Sequence, residues 1–281
     1  MKLFIFGMGY TSQVIAARLR GAGWEVSGTG REGTHRFEDR DAVLAALSGA
    51  SHVLSSVPPA RDGGDPVLDA FGEALASAPA GWIGYLSSTG VYGDTGGAWV
   101  DESAQVGTGR RSARTAADLA WQELGARVRV FRLPGIYGPG RSALDRVRDG
   151  AARRIALEGQ VFSRVHVADI ASGVIAGMEG PGGVYNLADD EPSSQNAVIE
   201  EAARLLGVAP PPLQTLEEAA LSPMALAFYA ENRRVANGKA KRLLGWRPAY
   251  PTYREGLRAL SATTSPIIAS TAPEPASSDQ R

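Results

Sequence analysis

"FIFGMGYTS", residues 4–12, decides the fold. A short apolar run is broken by Gly7; Gly9 stands two residues on, and Ser12 three beyond that. The next stretch, "SQVIAARLRGAG" (12–23), has the period of a helix and stops at Gly21 or Gly23. Strand, glycine turn and helix in this order open a dinucleotide-binding βαβ unit. Gly7 permits the tight turn, Gly9 lets the backbone approach a pyrophosphate, and Ser12 is small enough for close helix–strand packing. Free N–H groups and the helix dipole at that end favour phosphate. Tyr10 and Thr11 share the loop and are counted with Gly7, Gly9 and Ser12 as cofactor-binding residues. The third glycine of the usual pattern is missing, so a plain glycine turn is the alternative.

The second strand, "WEVSGTGR" (24–31), selects the cofactor. An acidic residue at its end would hold a ribose 2′-OH, whereas an arginine accommodates a 2′-phosphate. Arg31 lies 22 residues after Gly9 and Glu32 falls one position late, which predicts NADP over NAD. A surface arginine in a turn is the competing reading. Helix-period and apolar segments then alternate: "DAVLAALSGA" (41–50), "HVLSSV" (52–57), "PVLDAFGEALAS" (66–77), "GWIGYLSS" (81–88) and "RVRVFRLPG" (127–135). This rhythm predicts an α/β fold with a doubly wound parallel sheet of the Rossmann type. It loosens after Gly140, which predicts a smaller C-terminal substrate-binding subdomain. The expected division gives the nucleotide domain residues 1–140 and about 164–188. The subdomain takes about 141–163 and 189–262, and 263–281 form a disordered tail rich in Pro, Ser and Ala.

The 281 residues are 44% apolar and 21% charged with a net charge of −1, so no overall field attracts nucleic acid or an anionic membrane. The absence of cysteine excludes disulfides, thiolate metal sites and a cysteine nucleophile. His35, His52 and His166 are too dispersed for a compact metal motif, and no metal is expected. The start, "MKLFIFGMGY", breaks at Gly7 without a cleavage site, and no run approaches the roughly 18 apolar residues of a membrane span. The expectation is a cytoplasmic protein. Only Lys2, Lys239 and Lys241 are lysines among 29 basic residues, so the middle of the chain lacks an amine that can be deprotonated.

Five further segments, in order, resemble one family. They are "LSSTGVYGD" (86–94), "FRLPGIYGPGR" (131–141), "RVHVADIASGV" (164–174), "GVYNLADDEP" (183–192) and "AKRLLGWRPAYPTYREGL" (240–257). Together with the glycine loop they resemble the extended short-chain dehydrogenase/reductases, the NAD-dependent epimerase/dehydratase group, over nearly the whole chain. The resemblance implies nicotinamide above Ser55, Ser56, Ser88 and the "LPGI" backbone with Pro134 and Ile136. It also implies Ser88 as the catalytic hydroxyl, with Thr89 beside it on the substrate side.

In that family a Tyr-x-x-x-Lys follows on the next helix. Here "GTGRRSARTAADLAWQELG" (107–125) puts Arg110 where the tyrosine belongs, Arg114 where the lysine belongs, and Asp118 four residues further. A guanidinium keeps its proton, so Arg110 cannot serve as an acid or base, although Arg114 can still donate to ribose hydroxyls. The other reading of the row is an ordinary solvated face. Tyr92 and Tyr137 sit in loops at the sheet edge that faces ligand and are the candidate replacement phenols; the resemblance implies instead that such tyrosines line the substrate pocket, the place expected for Tyr137. Arg141 and, by resemblance, Arg164 would meet a charged group of the substrate. His166 is either a substrate contact or a buried histidine satisfied by the backbone.

Two functions follow. One is an NADP(H)-dependent oxidoreductase or epimerase acting on a small polar or sugar-nucleotide-like substrate with an unorthodox proton donor. The other is a cofactor-binding sensor or regulatory protein that has lost the chemistry. Trp121 and Leu124 would serve a homodimer through the helix at 110–125, or the core.

Overall fold

The computed structural model describes residues 1–60, 63–107 and 112–264. The chain begins with β1 (Lys2–Phe6), α1 (Tyr10–Gly21), β2 (Glu25–Gly28), α2 (Arg40–Gly49), β3 (His52–Ser55), α3 (Pro66–Ser77) and β4 (Trp82–Ser88). It continues through β5 (Trp99–Val100), α4 (Ser112–Gln122), β6 (Val128–Leu133), β7 (Gly135–Tyr137), α5 (Ala143–Arg148), β8 (Arg154–Ile155) and β9 (Arg164–His166). The last part holds α6 (Val167–Glu179), β10 (Gly183–Asn186), α7 (Gln195–Leu206), β11 (Leu213–Gln214) and α8 (Pro223–Tyr229). β12 (Arg234–Val235), α9 (Gly238–Leu243) and α10 (Tyr253–Thr264) complete it.

Six strands form one parallel sheet in the order β10-β6-β4-β3-β1-β2. This is the expected doubly wound arrangement. The order reverses between β1 and β3, and in such sheets the ligand crevice opens at the carboxyl ends of the strands beside that switch. Those ends carry the Gly7–Gly9 turn and Ser56.

The two faces of β1 explain why its apolar run is unbroken. Leu3 and Ile5 pack toward Ile15 and Leu19 of α1 and Ile170 and Val174 of α6. Phe4 and Phe6 pack toward Val43 and Leu47 of α2 and Phe71 and Leu75 of α3. A strand covered on both sides needs apolar residues at every position. Helix ends are well set: Asp65 caps α3 through the amides of Val67 and Leu68, with Pro66 as its first residue. α5, α7 and α10 share a smaller apolar cluster around Leu144, Val198 and Leu257. Among the described residues no helix is long and apolar enough to cross a membrane.

Candidate functional site

Gly7 has φ +85°, and a β-carbon there would lie 2.9 Å from the Ser56 hydroxyl, so the turn requires glycine. Gly9 is the N-cap of α1 with no side-chain cap, and a β-carbon on it would meet nothing within 4 Å. The amides of the first turn therefore open onto free space, as a phosphate cradle requires. Behind the loop, Ser12 is fully buried and donates to Ser56 Oγ at 2.8 Å, which donates in turn to the Gly7 carbonyl at 2.6 Å. These bonds fasten the loop to the end of β3.

Two cavities of about 480 Å³ each adjoin here. Gly9, Tyr10, Ser56 and Pro58 line both, which makes them one cleft. The second extends over Gly7 to Gly30, Arg31 and Glu32 at the end of β2. The first adds Thr11 and runs over Ser87, Ser88 and Thr89, past Leu133, Pro134 and Ile136. Its far wall comes from Val161–Ser163, Glu231, Arg233 and Val235. Bare helix amides, an arginine at one end, and hydroxyls with a proline-containing strand exit at the other suit an extended dinucleotide.

Two expected cofactor residues fall outside this cleft. Ser12 acts through packing and its bond to Ser56. Ser55 is fully buried and its hydroxyl has no hydrogen-bond partner among the described residues. Adjacent strand residues point to opposite faces, so Ser56 reaches the cleft and Ser55 cannot.

The helix α4 carries the departure from the family pattern. Arg110 lies outside the described residues. Arg114 is half-buried and lines the first cavity beside Ser87 and Ser88. Asp118 is fully buried, which corrects the reading of the row as a solvated face. Its Oδ1 binds Arg132 Nη2 at 2.7 Å, and its Oδ2 accepts from Ser87 Oγ at 2.5 Å and Arg132 Nε at 3.1 Å.

Arg132 Nη1 donates to the Tyr92 hydroxyl at 3.0 Å, and that hydroxyl donates to Asn186 Oδ1 at 2.8 Å. Tyr92 is thereby engaged in the core, and burial raises its pKa. Tyr137 is also turned away: its hydroxyl lies against α10, in the space that a β-carbon on Gly256 would take. Neither phenol lines the cleft, so neither stands as the replacement acid.

Arg164 is a further correction. Its Nη1 donates to the carbonyls of Phe162 and Ser193 at 2.9 and 3.0 Å, and the side chain is buried beside Tyr253. His166 is buried as well; its Nδ1 accepts from the Ala168 amide at the start of α6, and burial brings its pKa down to about 4. It is the neutral, structural histidine of the two readings. Trp121 is fully buried and stacks on Tyr85 at 5.0 Å, so it offers no surface to a second copy. Arg141 does line the first cavity, with its guanidinium 5.8 Å from the Tyr10 ring centre.

Glu231 and Arg233 escaped the sequence reading. The only signal was the mixed apolar and basic character of the stretch before β12, which does not say which side chain reaches the cleft.

Behind the cleft, Asp189 is buried and neither carboxylate oxygen has a hydrogen-bond partner among the described residues. Burial pushes its pKa up to about 8, against the pull of Arg164. The unfolded value is about 3.9. Because the folded value is the higher one, this group's stabilising contribution is complete below about pH 4 and is lost as pH rises through about 8. The expected result is that Asp189→Asn gains melting temperature over wild type progressively from pH 5 to 8.5, with each kcal/mol worth about 2–4 °C. A difference independent of pH would contradict the assignment.

No family model matches the chain. A 3-diazoavenalumate denitrifying reductase from a Streptomyces species is 28% identical over 314 aligned positions, covering 92% of this chain and 99% of that protein. Protein YeeZ of Escherichia coli K12 is 30% identical over 75% of this chain and 85% of its own length. A conserved protein of unknown function from Silicibacter pomeroyi superposes with a TM-score of 0.83 at 43% identity, covering 93% of this chain and 98% of that one. The human epimerase family protein SDR39U1, solved with NADPH, gives a TM-score of 0.75 at 16% identity over 93% and 99% of the two chains. Fold and cleft define a Rossmann-type protein whose sheet edge carries a glycine loop and an extended cleft of the shape a dinucleotide needs. The chain belongs with YeeZ and the Silicibacter protein, and its fold is the one shared with the NAD-dependent epimerase/dehydratases and SDR39U1.

Proposed function

We propose that the protein is an NADP(H)-dependent reductase acting on a small polar substrate. The observation that carries this is Arg31 lining the cleft one cavity away from Ser88, with the uncapped α1 terminus between them. In this reading the α1 amides take the pyrophosphate, Arg31 takes the 2′-phosphate, and Ser88, Pro134 and Ile136 border the nicotinamide, which supplies the hydride. Ser88 Oγ accepts from the Gly90 amide at 3.1 Å, which leaves its own proton to donate to a substrate oxygen. Arg114 holds a fixed positive charge beside it and donates to ribose hydroxyls.

Of the described residues lining the first cavity, only Tyr10 and Glu231 carry an acidic group, and the arginines keep their protons. Tyr10 donates to the Pro139 carbonyl at 3.1 Å, and Glu231 is paired with Arg233 at 2.8 Å. Such a lining suits a substrate that draws its proton from water or needs none. This favours reduction over epimerisation, in keeping with a relative named for the reductive denitrification of a diazo compound.

Titration of the purified protein with NADPH and NADH tests the reading. Arg31→Ala is expected to weaken NADPH by about 10- to 100-fold, as loss of charge-assisted hydrogen bonds does, and to leave NADH unchanged. Equal affinity for both cofactors in wild type overturns the NADP assignment. NADPH binding without turnover of any acceptor selects the sensor reading, which the missing Tyr-x-x-x-Lys favours.

A further inference from the structure

We infer that the first cavity is built for a small molecule carrying one carboxylate on an apolar body, with Arg233 and Arg141 as the groups that bind the carboxylate. The inference rests on the proposed function, which puts the substrate beyond Ser88, and it names the substrate's class. Three guanidinium groups, Arg114, Arg141 and Arg233, face this cavity against one carboxylate, Glu231. An anion is favoured by that balance, and the more so in a cleft partly screened from water.

Arg233 is set in place by the protein itself. Its Nη1 donates to the Gly93 carbonyl at 2.6 Å and to Glu231 Oε2 at 2.8 Å, and the side chain is only 17% exposed. Among the described residues, Nε and Nη2 of Arg233 donate to no protein acceptor, so part of the planar fork is kept for a ligand. Holding the guanidinium beforehand removes the ordering cost that a free arginine would incur on binding. Arg141 enters from another segment, over the Tyr10 ring, and makes no ion pair among the described residues. Glu231 sets the charge limit: its carboxylate opposes a second negative charge at the same place, which selects a carboxylate over a phosphate dianion. Val161, Phe162 and Val235 supply the apolar wall beside these groups.

Calorimetric titration with benzoate, benzamide and inorganic phosphate, on the apoprotein and on protein saturated with NADP⁺, tests this. Benzoate is expected to bind, the neutral benzamide at least tenfold more weakly, and phosphate not to compete. Arg233→Gln should weaken benzoate tenfold or more while leaving NADP⁺ affinity unchanged. Because Arg233 also holds the Gly93 carbonyl, Arg141→Gln serves as a second variant with no such structural bond to lose, and it too should weaken benzoate. Benzamide binding as tightly as benzoate, indifference of benzoate to both substitutions, or displacement of benzoate by phosphate each overturn the inference. Absence of NADP⁺ binding together with charge-dependent benzoate binding to the apoprotein overturns the cofactor reading alone.

Discussion

Asp118→Ala is expected to lower the melting temperature by on the order of 10 °C, one of the largest single effects in the molecule. Asp118 and Arg132 are both buried, and the arginine's Nε and Nη2 engage both carboxylate oxygens. Burial alone would pull the Arg132 pKa down; the hydrogen bonds of Asp118, with the charges of Tyr92 and Asp118, more than offset this, so the guanidinium stays protonated in the core. Removing the carboxylate strands that charge, and breaking one side of a buried pair costs about 3–5 kcal/mol. At about 2–4 °C per kcal/mol this gives the stated loss. Ser87 and Gln122 lose a partner with it.

Replacing both members, as in Asp118→Leu with Arg132→Met, should recover most of the stability, because an apolar pair of similar volume carries no desolvation cost. The pair also joins α4 to β4 and β6, and so sets where Arg114 stands against Ser88. The double variant is therefore expected to be stable yet weaker in binding NADPH. Thermal melts and a cofactor titration on the three proteins check both halves. A single-variant loss below about 1 kcal/mol would mean that the pair is solvated and the network is not a structural tie.

Which parts of this site the sequence could reveal follows from the physics of each signal. The sheet was legible because β1, β3 and β4 are covered on both faces and so read as largely apolar runs between glycine and proline stops, while β6 carries Arg129 and Arg132 among its apolar residues. The glycine loop was legible because its requirement is local: Gly7 needs positive φ and Gly9 needs empty space. Side-chain direction was not. Ser55 and Ser56 are neighbours of the same type, and only the alternation of β3 sends one into the sheet and the other to the cleft. Tyr92, Tyr137 and Arg164 all belong to segments near the correct edge. Their partners, Arg132 with Asn186, Gly256 and Ser193, come from elements 29 to 119 residues away, and no local pattern encodes such contacts. The same holds for α4, whose four-residue rows fix which residues share a face but not which face is buried. That depended on Arg132 of β6 being there to meet Asp118.

Gly9→Asp is expected to abolish dinucleotide binding, by 100-fold or more, while leaving the fold at least as stable as wild type. Gly9 has φ −95° and ψ −168°, an extended conformation open to any residue, and a β-carbon there has nothing within 4 Å to strike. Aspartate is also a preferred N-cap, and α1 has no side-chain cap at present. The substitution therefore places a carboxylate on the amides of the first turn, where it satisfies the helix and repels the phosphates that those amides would otherwise bind. Gly7→Ala cannot separate the two effects, since its positive φ and the 2.9 Å approach to Ser56 Oγ would strain the loop itself. A melting temperature equal to or above wild type, together with loss of the NADPH and NADH titration signals, would tie cofactor binding to the start of α1. Retention of either affinity within about threefold would place the phosphates elsewhere, and Arg31, Ser56 and Ser88 would then have no common ligand to account for their alignment along one cleft.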